Sequence, residues 1–104
     1  MSALIEFAIF PTDHGESKSK YVARVIDMIK KSGIKYQFTP MGTIIETDSV
    51  EEGLEFVKRA YEILQVDCNR IYSTIKIDYR AGKSNRLEAK VASVESKLEN
   101  AKQC

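Results

Sequence analysis

The chain has little of what catalytic and membrane-bound proteins usually display. No apolar run approaches the roughly 20 residues that a bilayer span requires, and the opening MSALIEF has neither the basic region nor the long apolar region of a signal peptide. There is one histidine, His14, in a loop with Asp13 and Gly15. It reads as solvated and without an orienting partner, which leaves a histidine-based catalyst a single unsupported candidate. The two cysteines, Cys68 and Cys104, show no metal-ligand spacing, no adjacent histidine and no disulfide framework. There is no Gly-rich phosphate loop and no internal repeat, and neither sign of charge dominates, with 16 lysines and arginines against 15 aspartates and glutamates. These absences argue against nucleic acid, membrane, a resident metal or cofactor, and enzymatic chemistry. They favour a reduced, cytoplasmic setting.

What is present is a globular composition, 43% hydrophobic and 30% charged over 104 residues. That is enough for one domain spanning 1–104, and small enough that burying further surface in an oligomer would help it. The segment from Ala3 to Phe10 is a strand with Ile5, Phe7 and Ile9 on one face and Leu4, Glu6, Ala8 and Phe10 on the other. Both faces therefore call for cover, and Pro11 is expected to stop it. From about Ser17 to Ser32, Tyr21, Val22, Val25, Ile26 and Ile29 recur at helical spacing; Ser17 or Ser19 caps the start and Gly33 the end. Lys35 to Pro40 alternates as a half-exposed strand, and Thr43 to Asp48 returns as its hairpin partner.

A second helix follows, with Ser49 and Glu52 at capping-box spacing and Leu54, Val57, Ala60, Tyr61 and Leu64 as its stripe, weakened by Gly53. Arg70 to Asp78 alternates again. Ile71, Ser73, Ile75 and Ile77 lie against Tyr72, Thr74 and Lys76. After the turn AGKSN, Leu87, Val91, Val94, Leu98 and Ala101 form a narrow apolar seam on a last helix, about Arg86 to Lys102, with Asn100 to Cys104 fraying. The order β-α-β-β-α-β-α predicts an α+β ferredoxin-like sandwich: βαββαβ with an extra C-terminal helix, and a four-stranded antiparallel sheet with helices on one face.

The middle of the chain, TPMGTIIE from Thr39 to Glu46, is the most informative stretch. Pro40 and Gly42 mark a tight turn, with Gly42 free to take positive φ, and hydroxyls and one carboxylate stand among apolar residues. The open face of the sheet should carry Glu6, Ala8 and Phe10 with Tyr72, Thr74 and Lys76. The hairpin adds either Thr43 and Ile45 or Ile44 and Glu46, because a shift of one residue exchanges the faces. Such a face is too apolar to be bare. It stacks on a second subunit, holds a small flat ligand, or does both. Glu6 and Lys76 are equally able to pair with each other across adjacent strands.

The start ALIEFAIFP, the stretch MGTIIE from Met41 to Glu46, and RIYSTIKID followed by Arg80 together resemble the YkoF-like small thiamine-binding protein family, over nearly the whole chain. The resemblance implies a ferredoxin-like fold, subunits that pair and then form tetramers through their sheets, and binding of thiamine or its hydroxymethylpyrimidine half without catalysis. Within the matching motif it singles out Thr43 and Glu46. Thiamine joins a flat aminopyrimidine to a cationic thiazolium, so a site needs a stacking surface, an acceptor for the amino group and donors for ring nitrogens. Glu46 or Glu6 serves as the acceptor, Phe10 or Tyr72 stacks, and Thr43 or Thr74 donates. The alternative is a structural or regulatory homo-oligomer, dimer or tetramer, whose sheet face is consumed by self-association.

Overall fold

The computed structural model of the protein describes residues 2–15 and 18–102. The elements are β1 (Ser2–Pro11), α1 (Ser19–Ser32), β2 (Lys35–Thr39), β3 (Gly42–Thr47), α2 (Val50–Gln65), β4 (Ile71–Arg80) and α3 (Arg86–Lys102). The strands make one antiparallel sheet in the order β2-β3-β1-β4, the α+β ferredoxin-like arrangement, with α3 appended.

Alternation along β1 turns Ala3, Ile5, Phe7 and Ile9 toward the helices, where all four are buried. They meet Tyr21, Val25 and Ile29 of α1 and Phe56, Val57, Ala60 and Leu64 of α2. Phe56 takes the place that the stripe assigned to Leu54, which is exposed. The helix ends follow local chemistry. Gly33 closes α1 at φ 79°, and Ser49 Oγ accepts the Glu52 N–H at 3.1 Å at the start of α2. At the start of α1, Lys18 is the cap residue and makes no side-chain capping bond; Ser19 is already helical, and Ser17 lies outside the described residues.

Gly53 does more than weaken α2. A Cβ there would lie 1.6 Å from Ile5 Cδ1, so the glycine lets the helix settle directly onto β1. Pro11 does not end β1 before itself but is its last residue, paired with Ile71. The next residue, Thr12, donates its N–H to the Arg70 carbonyl at 2.9 Å, so the nitrogen of Pro11 faces away from β4. On that side the register with β3 has already ended at Phe7↔Thr43, and a missing donor costs the ladder nothing.

Two regions extend beyond the helix-covered core. β4 is an edge strand of 10 residues. Ile75 and Ile77, opposite Phe7 and Ile5, are 40% and 43% exposed because the helices do not reach that far across the sheet. The first turns of α3 lie on the open side of the sheet against β3, β1 and β2, so that side is not wholly bare. The remainder of α3 projects, giving a radius of gyration of 15.9 Å and a long axis of 53 Å, against about 13 Å for a compact domain of this size. Val94 and Leu98 on this part are more than half exposed. The helix runs on to Lys102, where fraying was expected from Asn100, while Gln103 and Cys104 lie outside the described residues. Among the described residues no helix is long and apolar enough to cross a membrane.

Candidate functional site

Four of the six residues singled out from the sequence, Glu6, Phe10, Tyr72 and Thr74, share the open side of the sheet. Phe10 and Tyr72 are direct cross-strand neighbours whose ring centroids lie 5.8 Å apart at an interplanar angle of 44°. Thr74 stands opposite Ala8. Glu6 stands opposite Lys76, with Oε1 3.9 Å from Nζ; both side chains are open to water, so the pair contributes little.

Thr43 and Glu46 do not join them as a unit. Thr43 pairs with Phe7 and is buried beneath the helices, whereas Glu46 pairs with Leu4 on the other side. Of the two registers open to the hairpin, the fold takes the one that shows Ile44 and Glu46 to the open side and sends Thr43 and Ile45 inward.

Glu46 is already engaged. Its Oε2 accepts the backbone N–H of Arg86 at 2.8 Å and its Oε1 that of Leu87 at 3.0 Å. These are the first N–H groups of α3, which have no partner within the helix. Burial pulls the Glu46 carboxyl upward, but the donors from Leu87 and Arg86 outweigh it and hold the group below its ordinary value of 4.5. The same joint is reinforced by the buried Arg86 guanidinium. Its Nη1 donates to the carbonyls of Ser2 at 3.2 Å and Asp78 at 2.8 Å, and its Nη2 lies 2.6 Å from Asp78 Oδ2. Lys90 Nζ reaches that oxygen too, at 2.6 Å, and Lys90, then Arg86, hold the Asp78 carboxyl below its usual range. A buried carboxylate does need a partner here. The partner here is a helix of the same chain, and both carboxylate oxygens of Glu46 are engaged at the start of α3.

A sizeable concavity lies on the helix side. A cleft of ≈ 800 Å³ opens between α1 and the β2–β3 hairpin, lined by Phe7, Val22, Ile26, Tyr36, Phe38 and Met41 together with Phe10 and Thr43. Its volume falls in the range of about 300–1,000 Å³ typical of small-molecule sites. The hairpin that forms its lip is tied by Thr39, whose Oγ1 accepts from the N–H groups of Met41 (3.2 Å) and Gly42 (3.1 Å) and donates to the Gly42 carbonyl (2.8 Å). Gly42 is not in the positive-φ region that its place in the turn suggested. A Cβ on it would stand 3.0 Å from the Phe7 carbonyl oxygen, and close backbone approach is what asks for glycine. The pairing of β1 with β3 ends at Phe7↔Thr43, and Ala8 and Ile9, beyond it, border the cleft. Lys18 and Ser19 stand at the rim. Tyr36, Phe38 and Met41 were not marked as candidates. The sequence signal for them was three large apolar groups flanking a tight turn, and Met41 is 86% exposed.

His14 is exposed, as expected, but not alone. Its Nε2 lies 2.7 Å from the Asp67 carbonyl, to which it donates, and its ring tilts against Tyr21 with centroids 5.0 Å apart. Asp13 Oδ2 accepts the N–H of Asn69 at 2.7 Å. Arg24 grips both carboxylate oxygens of Asp67, at 2.9 and 3.0 Å, and the Ile63 carbonyl at 2.7 Å. Cys68, without a histidine near it in sequence, is buried beside these groups; burial, and next Asp67, push its thiol upward.

The sequence profile of the thiamine-binding protein family matches residues 5–95. A UPF0045 protein of Methanothermobacter thermautotrophicus is 40% identical over 83 residues, covering 79% of this chain and 84% of its own. Among solved structures, a hypothetical protein from Methanocaldococcus jannaschii superimposes with a TM-score of 0.80 at 35% identity, over 90% of this chain and 96% of that one. A Thermotoga maritima protein, whose name suggests a place in thiamine biosynthesis or salvage, does so with a TM-score of 0.78 at 26% identity, over 90% and 99%.

Proposed function

The chain belongs to the thiamine-binding protein family, and from that premise we propose that it is a non-catalytic binding protein for thiamine or its hydroxymethylpyrimidine half. The observation that carries this reading is the cleft between α1 and the hairpin. It offers two aromatic rings, Tyr36 and Phe38, for stacking, the Thr43 hydroxyl on its floor and the main-chain edge of β1 for the amino group. Lys18 at the rim disfavours a cationic thiazolium nearby. It favours the neutral pyrimidine, or a form bearing phosphate.

The protein acts as a homo-oligomer in a reducing cytoplasm. Support for pairing comes from β4, a long edge strand with exposed Ile75 and Ile77, and from the apolar seam on the projecting part of α3. An oligomer without a ligand remains the competing reading, and the exposed seam and edge favour it to the extent that association alone would cover them.

Titration calorimetry of ligand-stripped protein with thiamine, its diphosphate and hydroxymethylpyrimidine tests the proposal. Saturable binding near micromolar, about 8 kcal/mol, that weakens in Thr43→Val and Phe38→Ala supports it. No heat with any of the three from a folded oligomer removes the ligand and leaves the association reading.

A further inference from the structure

The loop after β1 and the loop before β4 bring three metal-ligating side chains together. Asp13, His14 and Cys68 each offer one ligand atom, and those atoms lie within 4.8 Å of one another. We propose that Asp13, His14 and Cys68 form a binding site for a divalent cation of borderline softness, Zn²⁺, with the thiolate of Cys68, an imidazole nitrogen of His14 and Oδ1 of Asp13 as ligands.

The donor set is the first argument. One sulfur, one nitrogen and one oxygen match the mixed ligands that Zn²⁺ accepts in tetrahedral sites, and three protein ligands leave the fourth position to water. Hard cations such as Ca²⁺ and Mg²⁺ take oxygens and have no use for the thiolate.

The surroundings are the second argument. Asp13 and His14 are each held by a neighbouring group, as metal ligands generally are, while the Cys68 thiol donates to Asp67 Oδ1 at 3.6 Å, a contact that it would give up on ionising to bind the cation. The second oxygen of Asp13 is held by the N–H of Asn69, which leaves Oδ1 turned to the cluster, 3.7 Å from His14 Nε2. The imidazole is steadied by the Asp67 carbonyl and the Tyr21 ring until a cation takes up its nitrogen. Asp67 is kept out of the ligand set by the two-pronged grip of Arg24, which also neutralises it. A carboxylate and a thiolate then balance the two charges of the cation.

Closing the site is a small movement. Bonds of about 2.0–2.3 Å put tetrahedral ligand atoms roughly 3.5 Å apart, about 1 Å closer than the widest separation here. Thr12 to Gly15 is an exposed loop able to supply that shift, and Gly15 at φ 80° gives it a pivot. Cys68 is buried while Asp13 and His14 keep a quarter to a third of their side chains in solvent, so the site has an entry path. The cation would tie together two loops 54 positions apart in the sequence, which lies behind the lack of any ligand spacing readable from the chain.

The test is a Co²⁺ titration of the full, reduced, metal-stripped chain, followed by displacement with Zn²⁺ and a thermal melt. The expected result is one Co²⁺ per chain with tetrahedral d–d bands and a thiolate-to-cobalt charge-transfer band, both bleached by Zn²⁺, and a Zn²⁺-dependent rise in Tm. Cys68→Ser should abolish the charge-transfer band, and both it and His14→Gln should weaken binding by at least about tenfold, while Cys104→Ser changes nothing. His14→Gln alters a partly exposed side chain and keeps the test decisive should Cys68→Ser fold poorly. A charge-transfer band that vanishes with Cys104→Ser, an affinity unchanged in His14→Gln, or no thiolate band at all would each overturn the assignment. None of these results bears on the α1–hairpin cleft, so the two proposals stand or fall separately.

Discussion

The carboxylate of Glu46 receives the backbone N–H of Arg86 at 2.8 Å across 40 residues of chain. That bond, with its neighbour to Leu87, joins the sheet to the helix lying across it and decides what Glu46 is for. Replacing Glu46 by Ala should lower stability by about 1–2 kcal/mol. Amide exchange in the first turn of α3 should accelerate, while affinity for a ligand in the α1–hairpin cleft stays the same. Loss of ligand with α3 still protected would return Glu46 to a binding role.

Acid should act on that joint and on the cluster that holds Asp13 and Asp67. Glu46, Asp13, Asp67 and Asp78 all hold their protons more weakly folded than free, the carboxyl of Glu46 lying below its ordinary value of 4.5. A depressed carboxyl contributes stability that is complete above the unfolded value and is lost as pH falls through the folded one. Denaturant midpoints should therefore be flat near neutrality and decline once pH drops below the ordinary carboxylate range. A midpoint that rises on acidification would contradict the hydrogen-bond assignments.

Gly53→Ala should destabilise even though alanine is the better helix former by about 1 kcal/mol. The added methyl meets Ile5 Cδ1 at 1.6 Å and Thr47 Oγ1 at 3.1 Å inside a packed core, an overpacking that costs about 1–3 kcal/mol. Ile5→Val removes the clashing carbon, so the double variant should recover part of the loss in a thermodynamic cycle. Simple additivity of the two changes would show that the close approach is not what requires glycine.

If subunits pair along the exposed edge of β4, Ile77→Lys places a charge where apolar surface is covered. Light scattering should then report a smaller mass with circular dichroism unchanged. An unaltered mass would move the interface elsewhere, the seam of α3 being the next surface to test.

Much of the architecture was readable because it rests on local periodicity. Period-two alternation marked β1 and β4, helical spacing marked Tyr21, Val25 and Ile29, and Ser49 and Gly33 stood where caps belong. Less of the site was. Phe10 and Thr43 do border the cleft, but Glu46 looked like a ligand residue because a carboxylate in an apolar strand needs a partner, and its spacing could not name which one. Tyr36 and Phe38 alternate like ordinary strand residues, and nothing in that pattern says that α1 leaves them partly uncovered.

The order of residues by itself determined the β-α-β-β-α-β-α sequence of elements, their polar and apolar faces and, through Met41 to Glu46, the family. Tertiary structure alone decided which face of β3 turned inward, what Glu46 holds, and that Asp13, His14 and Cys68 meet. The division follows range. Periodicity and capping are interactions of near neighbours, whereas the pairing of β1 with β3, the seating of α3 and the meeting of two loops depend on chain closure over tens of positions, where sequence spacing carries no distance.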